Sequence, residues 1–360
     1  QTAPSVHEGV FAYSQRRPLG VVGVISPWNF PLNVPARKVT PALMAGNTCV
    51  FKPASLTPQV GYLFTKLLAD AGLPDGVLNF ITGSGAAIGE AICDNPAVKA
   101  ISFTGSTAVG RKIHERSARN MIRTQLEMGG KNPAIILEDA DMAEAARAVA
   151  AAAFSCAGQW CTSTSRAIVV REASQPFLQA LLDETARIAV GDGRDSRTTM
   201  GPVCGIDQMN TILKYIDIGI SEGAKLAWGG QRLQGKPYDQ GCFLQPTVFS
   251  GVTPDMVLAR EEIFGPVLSI LEARDFAEAV AVANASEYGL ASSIFTRDIG
   301  RAFSFLEQTD AGLTHVNLMT AMKEPQLSFG GIKGSGFGLP EAGSTGIEFF
   351  TDHKVAYIKY

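Results

Sequence analysis

Short apolar runs recur along the first third of the chain, separated by amphipathic segments. Their residues are mainly Val, Ile, Phe and Ala, which is typical of strands buried on both faces. The runs lie at 21–26, 47–53, 76–83 and 99–105, with a less apolar fifth candidate at 122–130. Strands that alternate with helical segments predict a parallel sheet with helices on both faces.

The segment after the second run has the periodicity of an amphipathic helix. Its apolar residues follow the i, i+3, i+4, i+7, i+8 spacing of one helix face: Val60, Leu63, Phe64, Leu67 and Leu68. Thr57 and Pro58 supply an N-cap and a first-turn proline, and Gly72 supplies a stop. We therefore expect a helix between the second and third strands.

A second series of elements begins after about residue 130. Strand candidates lie at 133–139, 166–172, 267–273 and 290–296. Three segments are helix candidates: 142–161, which is rich in alanine, 176–190 and 276–286. The alanine-rich stretch contains Glu144 and Arg147, which favours a buried helix over a membrane span. The tail at 348–360 alternates imperfectly and is rich in Phe, Tyr, Val and Ile, so it could be an edge strand that pairs with a partner chain.

Length and composition limit the class of protein. At 360 residues the chain exceeds the usual size of one hydrophobic core, which predicts two domains. It is 46% hydrophobic and 18% charged, as globular proteins are, and its net charge of -3 argues against nucleic acid as a main partner. The six cysteines form no C-x-x-C pair and fit no common zinc site, so we expect no metal and a cytoplasmic compartment with reduced thiols.

Three side chains are candidates for chemistry. Cys161, in GQWCTSTSR, could be a buried structural cysteine or a nucleophile, since thiolate is the most nucleophilic side chain near neutral pH. Glu127, in LEMGGKN, could be a solvated carboxylate or a general base beside a thiol. Asn29, in SPWNFP, could hydrogen-bond its own turn or donate to a developing oxyanion.

Two glycine-containing segments are candidates for binding a cofactor phosphate. In GSGAAIG the spacing of Gly83, Gly85 and Gly89 is one residue longer than in the G-x-G-x-x-G dinucleotide fingerprint, so that fingerprint fails. In FTGSTAVG, Gly105 and Ser106 fall between a strand and a helix whose first amides could face a phosphate. A helix that starts in this way needs no ligand, so neither segment is decisive by itself.

Taken together, these segments resemble the aldehyde dehydrogenase superfamily. Seven motifs occur in the family's order from about Pro18 to the end: SPWNFP, FKPASLTP, FTGSTAVG, LEMGGKN, GQWCTSTSR, EEIFGPV and SFGGIKGSG. Such an ordered set is far more specific than any single motif. The resemblance implies an α/β fold with a Rossmann-like cofactor domain, an α/β catalytic domain and a small region of oligomerisation strands. Within the family, the chain looks most like semialdehyde dehydrogenases such as the α-ketoglutaric semialdehyde type.

The resemblance also implies roles for individual residues. Cys161 would attack the aldehyde carbon, while Asn29 and the Cys161 amide would hold the oxyanion. Glu127 would activate the thiol and the water that releases the acid. Hydride transfer to NAD or NADP would leave a thioester on the cysteine. The residues implied in cofactor binding are Trp28, Lys52, Ser55, Gly85, Gly89, Gly105 and Ser106 along the dinucleotide, and Glu262 and Phe264 at the nicotinamide ribose and ring.

One position departs from the pattern of NAD-preferring relatives. These commonly carry glutamate three residues after the position of Lys52, where this chain has Ser55. A carboxylate there would repel a 2'-phosphate, so serine makes NADP acceptable. Ser55 could instead only cap the following helix.

The resemblance divides the chain into five segments. We expect a partial oligomerisation hairpin over 1–18, an incomplete cofactor domain over 19–129, a catalytic domain over 130–329, a return to the cofactor domain over 330–345 and an oligomerisation strand over 346–360. Family members carry a further segment before the position of Gln1, which implies an N-terminally truncated chain. The expected assembly is a homo-oligomer, a dimer or tetramer, that acts on a small aldehyde and has no membrane partner.

Two other functions stay open at this point. A truncated chain could be a catalytically silent remnant with a structural or binding role, and it would then reduce neither NAD nor NADP with any aldehyde. A cysteine hydrolase would need a histidine base. None of the four histidines has a recognisable catalytic context: His7, His114, His315 and His353. His315, in LTHVN, is typical of an alternating strand residue.

Overall fold

A computed structural model describes residues 2–360 and contains two compact units. Unit 1 runs to Glu127 and also includes Glu324–Phe329 and Phe337–Tyr360. Unit 2 comprises Met128–Lys323 and Gly330–Gly336. The five segments expected from the sequence stay a prediction.

Strands and helices alternate through the first part of unit 1. The elements are β1 Thr2–Ala3, β2 Val10–Pro18, β3 Val21–Ile25, α1 Asn33–Met44, β4 Thr48–Lys52, α2 Pro58–Asp70, β5 Leu78–Phe80, α3 Gly85–Asp94, β6 Val98–Thr104, α4 Thr107–Ala118 and β7 Arg123–Glu127. Five of the strands pair in parallel in the order β7-β6-β3-β4-β5, which confirms the predicted sheet. In such a sheet, loops that leave the carboxyl ends of the strands form the usual ligand crevice.

Helix α2 confirms the predicted helix but not its cap. Thr57 occupies the N-cap position without a side-chain hydrogen bond to the helix. Along the predicted apolar face Phe64 is buried, but Leu63 and Leu67 are 48% and 65% exposed. The periodicity predicted the position of the helix. How much of its apolar face is buried depends on which other elements pack against it.

Unit 2 repeats the α/β arrangement on a wider sheet. Its elements are β8 Asn132–Ile136, α5 Met142–Phe154, β9 Thr164–Val170, α6 Ser174–Ala186, α7 Ile206–Ser221, β10 Lys225–Trp228, β11 Thr247–Ser250, α8 Val257–Arg260, β12 Val267–Ala273, α9 Phe276–Asn284, β13 Tyr288–Gly289, β14 Ala291–Phe295, α10 Ile299–Gln308, β15 Leu313–Val316 and β16 Ile332–Lys333. Short 3-10 turns lie at Ser155–Gly158, Arg171–Ala173 and Tyr238–Gln240. The sheet order is β10-β11-β12-β9-β8-β14-β15, and only the β10–β11 pair is antiparallel.

Helix α5 is the alanine-rich segment, and it packs in the core of unit 2 as predicted. Seven of its 13 residues are buried, because methyl side chains let a helix approach the sheet closely. The carboxylate of Asp141 caps it by accepting from the amide of Glu144 at 3.1 Å. Within residues 2–360, we find no helix long and apolar enough to cross a membrane.

The C-terminal part of the chain returns to unit 1. It contains β17 Gly336–Phe337, α11 Gly343–Phe349 and β18 Thr351–Lys359. Strand β18 pairs antiparallel with β2 from Thr351–Pro18 to Lys359–Val10. The predicted tail strand is confirmed, and its first partner belongs to the same chain. It remains an edge of the three-stranded sheet β1-β2-β18.

Candidate active site

The predicted cofactor residues of unit 1, and the predicted oxyanion donor Asn29, lie where its parallel strands end. Trp28 and Asn29 follow β3, and Lys52 is the last residue of β4. Gly85 begins α3, and Ser106 is the N-cap residue of α4 without a side-chain capping bond. The residues were predicted separately, and the topology brings them to the carboxyl edge of one sheet.

A groove of about 470 Å³ lies beside α3 and α4 in unit 1, and its lining contains both apolar and charged residues. Its lining includes Ile25, Gly85, Gly89, Val109 and Ile113. A Cβ atom added to either glycine would have no heavy atom within 4 Å, so both glycines leave open space there. The apolar part of this lining, where two side chains are missing, suits a flat aromatic group such as the adenine of a dinucleotide. These residues therefore fit the cofactor predicted from the sequence.

A hydrogen bond joins two of the predicted cofactor segments. The Ser55 hydroxyl donates to the carbonyl of Gly83 at 3.3 Å, so Ser55 links its loop to the loop before α3. The alternative that Ser55 only caps the next helix is wrong, because Thr57 occupies the N-cap position. Lys52 is buried and donates to the carbonyl of Pro53 at 2.9 Å, and burial lowers the pKa of Lys52.

Glu127 ends β7 and is 4% exposed. Its carbonyl accepts from the amide of Gly105 at 3.1 Å, which ties the end of β7 to the turn before α4. Burial of this kind is expected for a carboxylate that changes protonation state during a reaction, and it disfavours the simple solvated carboxylate.

Sequence reasoning missed a buried charge cluster in unit 1. Lys38, on α1, forms an ion pair with Glu341, and Arg37 contacts the same carboxylate at 2.6 Å. Burial would raise the pKa of Glu341, but the two cations outweigh it and hold that pKa below its usual value. Burial lowers the pKa of Lys38, while Glu341 and Glu127 act in the opposite direction. No pattern along the chain indicates this cluster, because its members are about 300 positions apart.

In unit 2, a sharp reversal of the backbone positions Cys161. Cys156, Ala157 and Gly158 have φ values of 53°, 53° and 67°, in the left-handed region. A Cβ on Gly158 would lie 2.0 Å from the carbonyl oxygen of Gly265, so only glycine fits there. The turn ends α5, and Cys161 lies half-buried between this turn and β9.

Asn132 binds the backbone of the cysteine loop, the segment 155–163 between α5 and β9. Its side-chain amide donates to the carbonyls of Cys161 and Ser163, both at 2.8 Å. Its oxygen accepts from the amide of Ala291 at 3.0 Å, which anchors the group to β14. The Ser163 hydroxyl adds a bond to the carbonyl of Ala152 at 2.7 Å. These hydrogen bonds fix the backbone at Cys161 and at Ser163, directly after the thiol.

Glu262 and Phe264 lie close to this loop. Both line one small cavity that is also bordered by Gly130, Gly158 and Trp160. The amide of Gly130 donates to Glu262 Oε1 at 3.1 Å. Phe264 has a φ of 55°, and the Gln208 side chain donates to its carbonyl at 2.9 Å. Unit 2 therefore brings the residue before Cys161 together with the two residues predicted to contact the nicotinamide end.

Lys131 adds a buried cation that the sequence did not indicate as functional. It is 1% exposed, and its ammonium has no hydrogen-bond partner. Burial, aided by the charge of Arg166, lowers the pKa of Lys131 to about 7. Burial also raises the pKa of Glu262 to about 7, although the Gly130 amide and Lys131 oppose that rise.

His315 is not a candidate base. It lies on β15, as its alternation predicts, and its two ring nitrogens face the carbonyls of Ser292 and Met322, both at 2.9 Å. Neither nitrogen is therefore open to accept a proton from a thiol. A cysteine hydrolase would need a histidine base near the thiol, and His315, the histidine of unit 2, does not provide one.

Comparison with known proteins gives consistent results. The model of the family described as "Aldehyde dehydrogenase family" matches residues 1–356. An alpha-ketoglutaric semialdehyde dehydrogenase of Bacillus subtilis (strain 168) is 42% identical over 99% of this chain and 73% of its own length. A 2,5-dioxopentanoate dehydrogenase of Saccharolobus solfataricus is 42% identical over 99% of this chain and 74% of its own length.

Solved structures agree with these relatives. An NAD-dependent aldehyde dehydrogenase from Sinorhizobium meliloti superposes with a TM-score of 0.96 at 38% identity, over 100% of this chain and 70% of that one. A betaine aldehyde dehydrogenase from Staphylococcus aureus, solved in complex with NAD+, gives a TM-score of 0.97 at 34% identity, over 100% of this chain and 71% of that one. The fold class predicted from the sequence is confirmed.

Proposed function

The chain belongs to the aldehyde dehydrogenase family, and we propose that its substrate is a short aldehyde with a carboxylate at the other end. It is an NAD(P)-dependent oxidoreductase that acts on the aldehyde group. The names of two relatives, one for α-ketoglutaric semialdehyde and one for 2,5-dioxopentanoate, support the substrate class.

In the proposed mechanism Cys161 is the nucleophile. The observation that carries this assignment is the fixed loop around it: Asn132 binds the Cys161 carbonyl, and Trp160 borders the cavity of Glu262 and Phe264. The thiolate adds to the aldehyde carbon and forms a tetrahedral hemithioacetal. When bound, NAD or NADP accepts the hydride that this carbon releases. The thioester that remains on Cys161 is then hydrolysed to the acid.

Two further residues complete the proposed mechanism. Asn29 and the backbone amide of Cys161 donate to the oxyanion of the adduct, and removal of one such donor typically costs roughly 100- to 1000-fold in rate. Glu127 takes the proton of the thiol, releases it to solvent, and later takes a proton from the attacking water. Its side chain is 4% exposed, which shields this base from bulk water.

The experiment is a nicotinamide-reduction assay with matched cysteine variants. Wild-type protein with NAD or NADP and 5-oxopentanoate should produce reduced nicotinamide, and C161S should abolish it. C242S, another half-exposed cysteine of unit 2, should retain activity. Turnover by C161S at the wild-type rate would overturn the assigned nucleophile, and absence of turnover by wild type with every aldehyde would overturn the function.

We further propose that the protein is a homo-oligomer that associates through β18. This strand is the edge of its sheet, and Val355 and Tyr357 are 53% and 73% exposed. An exposed apolar edge strand tends to pair with another chain. V355K should lower the mass measured by light scattering after gel filtration, whereas K354Q should leave it unchanged. An unchanged mass for V355K would contradict this interface.

We also propose a reducing, cytoplasmic compartment. All six cysteines are free thiols in the structure, and the proposed nucleophile must stay reduced. Titration of the unfolded native protein with a thiol reagent should find six thiols. A lower number that reductant restores would point to an oxidising compartment.

A further inference from the structure

Two cysteine thiols of unit 2 lie close together. Cys204 is in the loop before α7, Cys242 is in the loop before β11, and both are half-buried. The amide of Val203 donates to the carbonyl of Cys242 at 3.0 Å. This backbone bond brings two loops that are distant in the chain together at the two cysteines.

The two thiols also affect each other electrostatically. Burial raises the pKa of Cys204, and the nearby Cys242 raises it further, because two thiolates repel each other. Such repulsion is appreciable only at short range. For Cys49 and Cys156, by contrast, the cause of the raised pKa is burial. Cys204 and Cys242 are therefore a pair of neighbouring thiols.

The loop of Cys204 has room to move. Gly205 has a φ of 91°, in the left-handed region, and a Cβ atom there would meet no other part of residues 2–360 within 4 Å. A disulfide requires two Cα atoms about 4.4–6.8 Å apart, and residues that share a backbone hydrogen bond between strands are about 5.5 Å apart. Val203 holds this place opposite Cys242, so a disulfide from Cys204 needs a local shift of its loop and no change of fold.

The loop of Cys204 is tied to the cysteine loop. The amide of Cys204 donates to Oε1 of Gln159 at 2.7 Å, and Nε2 of Gln159 donates to the carbonyl of Cys156 at 3.0 Å. Gln159 is 7% exposed and lies two residues before Cys161. Asn132 holds the backbone at and after the thiol, whereas Gln159 supports the part before it. A shift of Cys204 therefore reaches the segment that carries the proposed nucleophile.

We propose that peroxide oxidises Cys204 and Cys242 to a reversible disulfide, and that this disulfide draws the Cys204 amide away from Gln159 and slows the dehydrogenase reaction. The effect on the reaction rests on the proposed role of Cys161, whereas the disulfide itself does not. In a reducing compartment such a bond forms only transiently, as redox-sensing disulfides do.

The oxidation needs only the two thiols and hydrogen peroxide. One thiolate attacks an oxygen of the peroxide, the O–O bond breaks, and the sulfur becomes a sulfenic acid while hydroxide leaves and takes up the thiol proton as water. The second thiolate attacks the sulfenic sulfur, the S–S bond forms, and a second water leaves. The two sulfur atoms lose two electrons in total, and the peroxide gains them. Exchange with a reducing dithiol reverses the oxidation.

The first test detects the bond itself in C161S, which lacks the proposed nucleophile and keeps the pair. Hydrogen peroxide should lower the intact mass by about 2 Da, the mass of the two hydrogen atoms lost. Digestion with trypsin without reductant should then yield the peptides 198–214 and 233–260 joined together. Dithiothreitol should separate them.

Two double variants are the controls for this test. C156S/C161S removes a different thiol of unit 2 and should still form the bond, whereas C161S/C242S should not. Absence of the joined peptides from peroxide-treated C161S would overturn the proposal.

The second test follows the cysteine loop by hydrogen exchange in the same C161S protein. Loss of the bond between Cys204 and Gln159 should speed amide exchange in peptides that cover 155–163 roughly tenfold after oxidation. Peptides of α10 should be unchanged, which shows that the fold is intact. C161S/C242S should exchange alike before and after peroxide. Unchanged exchange in the oxidised loop would refute the link from the disulfide to the cysteine loop.

The third test measures the reaction. With dithiothreitol, wild type and C242S should have equal kcat/KM for 5-oxopentanoate. After peroxide and its removal by catalase, the loss that dithiothreitol reverses should be roughly three- to tenfold greater in wild type, since oxidation of Cys161 itself is common to both proteins. Equal losses would contradict the effect on the reaction. A wild type that is inactive before peroxide would instead contradict the proposed function.

Discussion

The side-chain amide of Asn132 lies 2.8 Å from the carbonyl oxygen of Cys161 and 2.8 Å from that of Ser163. One amide therefore holds the backbone at Cys161 itself and at Ser163, two residues further on. Because Asn132 is 2% exposed and begins β8, an internal strand of its sheet, the segment cannot shift without breaking buried bonds.

Replacement of Asn132 by alanine should therefore affect both activity and stability. We expect kcat/KM to fall roughly 10- to 100-fold, because a loosely held nucleophile loses its aligned geometry. The free energy of unfolding should fall by about 2–4 kcal/mol, since three buried backbone groups lose their partner. Denaturant unfolding and steady-state kinetics measure the two effects. N79A removes an asparagine from the edge strand β5 and should cost less than about 1 kcal/mol. Wild-type kcat in N132A would refute the positioning role.

Cofactor affinity should depend on pH through Glu262. Loss of hydration raises the pKa of Glu262 to about 7, so below that pH the side chain is protonated and loses its negative charge. If the ionised form accepts the ribose hydroxyls, the Kd of NADH or NADPH should rise as the pH falls through 7, by up to about tenfold per unit. Fluorescence titration without aldehyde measures this and excludes any contribution from turnover. E262Q should bind more weakly at pH 8.5 and show a flat profile; a flat profile in wild type would contradict the assignment.

Alanine at Gly89 should have opposite effects on stability and on cofactor binding. Gly89 lies inside α3, where replacement of glycine by alanine stabilises a helix by about 0.5–1 kcal/mol. A methyl group there meets no protein atom and projects into the groove beside α3 and α4. Overfilling of such a site costs about 1–3 kcal/mol, so the Kd of NADH should rise at least about fivefold.

Thermal unfolding and NADH titration give the two numbers for G89A. The control G193A also adds a methyl group to open space, but in an exposed loop of unit 2, and should leave the Kd unchanged. Tighter or equal NADH binding by G89A would mean that the adenine does not occupy this groove.

The choice between NAD and NADP should respond to Ser55. Its hydroxyl reaches the carbonyl of Gly83, at the loop before α3. A carboxylate at this position would repel a 2'-phosphate, so S55E should lower kcat/KM with NADP roughly tenfold or more and change the value with NAD much less. S55Q has the same size without the charge and separates the two causes. Equal losses with both cofactors would indicate a purely steric effect and would contradict the assignment.

Local patterns were sufficient for most of the fold. Alternating apolar runs and helical spacing located the five parallel strands of unit 1, helix α2, and the alanine-rich helix α5. Patterns could not show that Leu63 and Leu67 stay exposed on α2, because exposure depends on what packs on a helix and not on its own sequence. Helix α7 was also not predicted, although it packs on the core of unit 2 through Met209 and Ile212.

The residue types and their order along the chain indicated the family by themselves: seven motifs occur in the family's order, and three of them contain an asparagine, a glutamate and a cysteine suited to the proposed chemistry. Only the tertiary structure decided how these groups are held. The bonds from Asn132 to the cysteine loop and the buried Lys38–Glu341 pair join residues that are distant in the chain. Such contacts depend on the packing of separate elements, and no local periodicity encodes a distance between them.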